Sequence, residues 1–113
     1  MPAKHNPLRL NPLQLKTLTL LQELAHLSDF SRPGEEPGSI AVRTPDPHGD
    51  HFHLGDAVVA ARDATGLRNP AVWVALERKG LLRSRYPYGG VLTPLGLTYE
   101  TGMADRILHK PAR

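Results

Sequence analysis

Cysteine is absent from all 113 residues, which removes disulfides, thiolate metal sites and thiol nucleophiles together. A reducing compartment is permitted by that absence. The sequence also lacks any run of about 18 consecutive apolar residues, and its first residues, "MPAKHNPLRLNPLQLKTL", contain no uninterrupted apolar stretch ending at a small-residue cleavage site. The expectation is a soluble cytoplasmic protein with no membrane segment. Equally missing are a glycine-rich phosphate loop and a nucleophile elbow, and a Ser, His and Asp drawn from separate loops would be an arbitrary triad. An enzyme is not expected.

What is present is enough for one folded body. Hydrophobic residues make up 40% and charged residues 22%, an ordinary globular balance that argues against disorder. The length suits one domain with a modest core. We expect an N-terminal arm over residues 1–11, where Pro2 and Pro7 block early helix, and a single domain over 12–113. The net charge of +3 is unevenly spread. Between Arg62 and Tyr86 six basic residues face two acidic ones, while the remainder is slightly acidic, so the basic excess is local, as in a nucleic-acid footprint.

Along the chain, Asn11-Pro12 is a helix start signal, because Asn caps free N–H groups and Pro is tolerated at the first helical position. The helix it opens, "PLQLKTLTLLQELAHL", carries leucines at 13, 15, 18, 20, 21, 24 and 27, too many for one narrow stripe. It is either a central core helix or a helix that also packs on a second subunit. Residues 28–50, rich in Pro, Gly and acids, read as a loop insertion in which "SIAVRT" and the later "HFHL" form a hairpin. From Asp56, "AVVAARDAT" places Ala57, Val58, Ala61 and Ala64 on a stripe and predicts a short second helix ending at Gly66. Asn69-Pro70 repeats the start signal, giving a third helix over 69–79 that stops at Gly80. "LLRSRY" and "VLT" around "PYGG" read as a hairpin, and Thr93-Pro94 opens a last helix through "LGLTYETGMADRILH" that Gly96 and Gly102 weaken.

Three stretches in order resemble a known family. "ATGL" at 64–67 is similar to the turn between the second and third helices of winged helix-turn-helix domains, "ALERKGLL" at 75–82 to the end of their recognition helix, and "VLTPLG" at 91–96 to the second wing strand in bacterial regulators of the MarR and PadR type. The resemblance covers residues 54–96 well and residue 12 onward loosely. It implies an α+β, mostly helical fold with three core helices, a β-hairpin wing and a C-terminal helix. The function it implies is a DNA-binding protein, a bacterial transcriptional regulator that binds double-stranded DNA as a homodimer through the first and last helices. In that family the third helix enters the major groove and the wing follows the backbone.

Carried onto this sequence, the candidate DNA-binding residues are Arg68, Asn69 and Arg78 on the third helix, Lys79 at its end, and Arg83, Arg85 and Tyr88 on the wing. Gly66 to Leu76 is about one helical turn shorter than the family pattern. The outward face then holds Arg68, Ala71, Val74 or Ala75, and Arg78, with no central Asn, Gln or Ser to read a base edge. Asn69, directly before Pro70, also suits a helix cap, and Trp73, the only tryptophan, suits a core or interface role. Arg83 and Arg85 lie two apart and so share one face of a strand, opposite Leu82, Ser84 and Tyr86. Gly89 and Gly90 beside Tyr88 permit close approach to a backbone.

Two alternatives belong beside the DNA reading. An interaction module would dock the Ala/Val face of the third helix on a partner. A metal-responsive regulator would use "DPHGDHFH", where His48, His51 and His53 sit with Asp46 and Asp50 and supply imidazoles suited to zinc or nickel. No other cofactor is expected.

Overall fold

The reciprocal cap at Asn11 starts the longest element. In the computed structural model, which describes residues 6–45 and 50–111, helix α1 spans Pro12–Ala25. The Asn11 side chain accepts the Gln14 N–H at 2.8 Å, and the Gln14 side chain accepts the Asn11 N–H at 3.0 Å. Strands β1 (Ser31–Pro33), β2 (Ile40–Arg43), β3 (His51–Leu54) and β4 (Ala57–Ala60) follow. Two short 3-10 turns, Ala61–Asp63 and Thr65–Arg68, lead into α2 (Pro70–Arg78). The chain closes with β5 (Leu82–Arg85), β6 (Gly89–Leu92), α3 (Pro94–Thr98) and α4 (Ala104–Ile107). The architecture is α+β with an antiparallel four-stranded sheet in the order β1-β2-β6-β5 and a separate β3-β4 pair.

The expected mostly helical body with three core helices is corrected by residues 57–64. Where a second helix was read, Ala57–Ala60 is a strand with alternate residues buried, paired with His51–Leu54. The two-residue turn between them is Gly55-Asp56, and Gly55 sits at φ +63°. That dipeptide between alternating runs is a hairpin signal, and it outranks an alanine stripe of marginal length. The expected hairpin between "SIAVRT" and "HFHL" is likewise absent: β2 pairs with β1 and β6, and β3 pairs with β4. The region 28–50 is thus more than a loop insertion. The last helix is broken into α3 and α4, and Gly102, at φ +68°, lies in the break.

All five leucines at 15, 18, 20, 21 and 24 are shielded from solvent, so α1 is the central core helix. Its cover comes from this chain, from α2, the sheet, the Thr65–Arg68 turn, α3 and α4. Five of the seven leucines that suggested a subunit interface are thus covered within the chain, and Leu13 and Leu27 are partly buried. Gly66 is buried against α1, where an added Cβ would meet the Thr17 hydroxyl at 1.8 Å. Close packing on α1, rather than a left-handed turn, is what this Gly provides. No helix among the described residues is long and apolar enough to cross a membrane.

On the inner face of the sheet, Val42, Leu82 and Leu92 are buried against the helices. Trp73 of α2 is wholly buried there; its Nε1–H donates to the Leu67 carbonyl at 3.2 Å, and its ring meets that of Tyr86 edge-on at 5.8 Å between centroids. The core role is therefore the right one for this tryptophan. Helix α2 ends as Gly80 requires: Gly80, at φ +77°, donates to the Glu77 carbonyl and Leu81 to that of Leu76.

Candidate nucleic-acid interface

Strand alternation decides what the outer face of the sheet carries. Arg32 on β1 stands opposite Ala41 on β2, Ala41 opposite Val91 on β6, and Val91 opposite Arg83 on β5. The next row pairs Arg43 with Gly89 and Gly89 with Arg85. Directly paired residues project to the same face, so four exposed arginines rim a floor of Ala41, Val91 and Gly89. The space above this floor is an open groove of about 680 Å³. Its walls include the β1–β2 turn, with Glu35 and Glu36, and Tyr88 at the tip of the β5–β6 hairpin; Asp29 lies at one end.

Two contacts fix the charges in place. Arg43 donates its Nε–H to the Asp29 carbonyl at 3.0 Å, and its guanidinium carbon lies 4.4 Å from the Phe30 ring centroid. Arg83 pairs with the Glu36 carboxylate. Both members of that pair are largely exposed, so the bond holds geometry more than it adds stability. Arg85 and Arg32 project into the groove from the two edge strands. Tyr88 is 80% exposed, yet its backbone is anchored at both ends: its N–H donates to the Arg85 carbonyl at 2.9 Å and its carbonyl accepts the Thr44 N–H at 3.0 Å.

The candidates expected on α2 do not join this surface. Because α2 packs on the face of β5 that carries Leu82, Arg83 and Arg85 point away from it. Arg68 and Arg78 are exposed on the helix side. Asn69 is a cap, with its side chain accepting the Ala71 N–H at 3.0 Å, and so is not oriented as a base reader. Lys79 spends its ammonium on the Leu8 carbonyl of the N-terminal arm instead of projecting toward a phosphate. The outward face of α2 is Ala71, Val74, Glu77 and Arg78.

Gly89 and Gly90 do serve close approach, but within the chain. A Cβ on Gly89 would fall 2.1 Å from the Val42 carbonyl oxygen, and one on Gly90 would strike Leu82 and the Arg83 carbonyl. These absences let β6 lie tightly between β2 and β5.

Of the histidine cluster, His48 and Asp46 lie outside the described residues. His51 and His53 share a face of β3 as alternation predicts, with ring centroids 5.4 Å apart and edge-on. His51 Nδ1 bonds the Asp50 carboxylate at 2.9 Å, and this contact holds the Asp50 carboxyl below its ordinary range. Among the described residues no three His, Asp or Glu side chains gather around a common point that would hold a metal ion.

Arg32, Arg43 and Phe30 were missed by sequence reasoning. The alternation in "FSRP" and "IAVR" was visible, but nothing local told that β2 joins the edge of a hairpin half the chain away. No protein-family model, curated protein or solved structure matches this chain.

Proposed function

We propose that the protein binds DNA, chiefly through the phosphate backbone, and that the binding surface is the outer face of the four-stranded sheet. The observation that carries this reading is the meeting of Arg32, Arg43, Arg83 and Arg85 from three strands around a floor of small residues. Guanidinium groups suit phosphate because their planar fork donates two parallel hydrogen bonds. A floor of Ala41, Gly89 and Val91 lets a backbone come close. None of the floor residues reads a base edge, so contacts here position DNA without specifying its sequence.

The winged-helix resemblance supports a narrower form of this reading, a transcriptional regulator with α2 in the major groove of a duplex. The succession of α2 and the β5–β6 hairpin agrees with it, whereas four strands and two 3-10 turns stand where the helix before α2 was expected. The surface of α2 supports it less, since Ala71 and Val74 stand where base-reading side chains are needed. That same face favours a second reading, in which Val74, 45% exposed, docks a protein partner.

The test is fluorescence anisotropy of labelled random-sequence DNA, as duplex and as strand, against salt. Each neutralised phosphate contributes about −0.9 to the log-log slope for duplex and about −0.7 for a strand. The Arg32→Ala/Arg85→Ala double variant is expected to flatten the slope by roughly two such increments, while Arg68→Ala/Arg78→Ala leaves it. Binding to neither form at low salt overturns the reading. A loss confined to the Arg68/Arg78 variant moves the site to α2.

A further inference from the structure

The groove carries more than charge. Tyr88 holds an almost fully exposed ring on an anchored backbone, at the wall of a cleft floored by small side chains. At the same end of the floor, where Arg43 is paired with Gly89, its guanidinium is set over Phe30 and tethered to the Asp29 carbonyl. The guanidinium carbon stands 4.4 Å from the ring centre, and Arg43 is nonetheless exposed. The groove therefore presents an exposed aromatic ring and a tethered guanidinium side by side at one end of its floor, with Arg85 across Gly89 and with Arg32 and Arg83 in the adjoining row.

Flat surfaces recognise flat faces. In a duplex the faces of the bases are stacked on one another and only their edges and the backbones are accessible; in a single strand the faces are free and stack on aromatic rings or guanidinium planes. The dimensions agree. Four strands at a spacing of about 4.8 Å give a floor about 14 Å wide, within which a single strand fits. Glu35, Glu36 and Asp29 also line the groove, and a phosphate on Arg83 takes the place of the Glu36 carboxylate that pairs with it.

We propose that the outer sheet face binds single-stranded DNA, with phosphates on Arg32, Arg83 and Arg85 and bases stacked on Tyr88 and on the Arg43 guanidinium. This rests on the DNA-binding reading and specifies the form of DNA that the site takes. Selection among sequences is weak, because ring and guanidinium stacking tolerates every base.

The experiment compares a labelled mixed-sequence oligonucleotide as a single strand and annealed to its complement, titrated with the full chain at fixed salt. The strand is expected to bind at least tenfold tighter than the duplex. Tyr88→Ala is expected to weaken strand binding about tenfold with an unchanged salt slope, the signature of lost stacking rather than lost charge. Arg43→Lys keeps the charge and removes the plane, and the same outcome is expected. Because both side chains are exposed, circular dichroism of each variant should match that of the parent chain. Duplex binding as tight as strand binding overturns this proposal and leaves the DNA reading standing. Unchanged strand affinity in both variants overturns it as well. Binding to neither form overturns both.

Discussion

The guanidinium carbon of Arg43, the last residue of β2, lies 4.4 Å from the centre of the ring of Phe30, the residue before β1. The Arg43 N–H also donates to the Phe30 carbonyl at 2.9 Å, so backbone and side chain of the same pair are joined. An exposed cation over a ring is worth about 0.5–1 kcal/mol. Denaturant unfolding of the parent chain, Phe30→Leu, Arg43→Met and the double variant should return a coupling free energy of about that size. A coupling of zero would mean that the ring does not hold the guanidinium.

Glu36 occupies Arg83 as a phosphate would. Replacing it by Gln frees one cation and removes one negative charge from the groove wall. Glu36→Gln is expected to raise DNA affinity severalfold at low salt and to steepen the salt slope by about one phosphate's share. Stability should change by less than about 1 kcal/mol, since the pair is exposed. Anisotropy and thermal melting check the two halves separately.

Trp73 is the largest wholly buried side chain and links α2, the Leu67 carbonyl and the inner face of β6. Trp73→Ala removes that volume and leaves the Leu67 carbonyl without its donor. The expected loss is about 3–5 kcal/mol, a large part of the roughly 5–15 kcal/mol that holds a small domain folded. Chemical denaturation measures it.

What the sequence made legible was local chemistry. Asn11-Pro12 and Asn69-Pro70 announced both major helices, and Gly80 announced where α2 stops, because a cap is decided by a few adjacent residues. The β5–β6 hairpin and the shared face of Arg83 and Arg85 were readable for the same reason. The strand at Ala57–Ala60 was signalled by Gly55-Asp56, but its alanines fit a helical stripe equally well. The arginine surface was hidden because it forms only when β2 pairs with β6, an event that no short window encodes. Two of the candidates at α2 were hard to read for a different reason: Asn69 and Lys79 are polar residues whose bonds are made inside the chain.

The Asp50 carboxyl lies below its ordinary range first because His51 donates a hydrogen bond to it, then through its own backbone N–H, and then through the charge of the imidazole. A carboxyl whose folded value is lowered contributes stability that is present above its unfolded value and lost as pH falls through the folded one. Asp50 is fully open to solvent, so the contribution to melting temperature should be too small to separate from that of the rest of the chain. The site itself should show it. In a carbon-detected NMR titration of the carboxyl, His51→Ala should move the Asp50 transition to higher pH than in the parent chain. If the substitution leaves the Asp50 transition where it was, the His51 contact does not persist in solution, and the β3 histidine face is set by alternation alone.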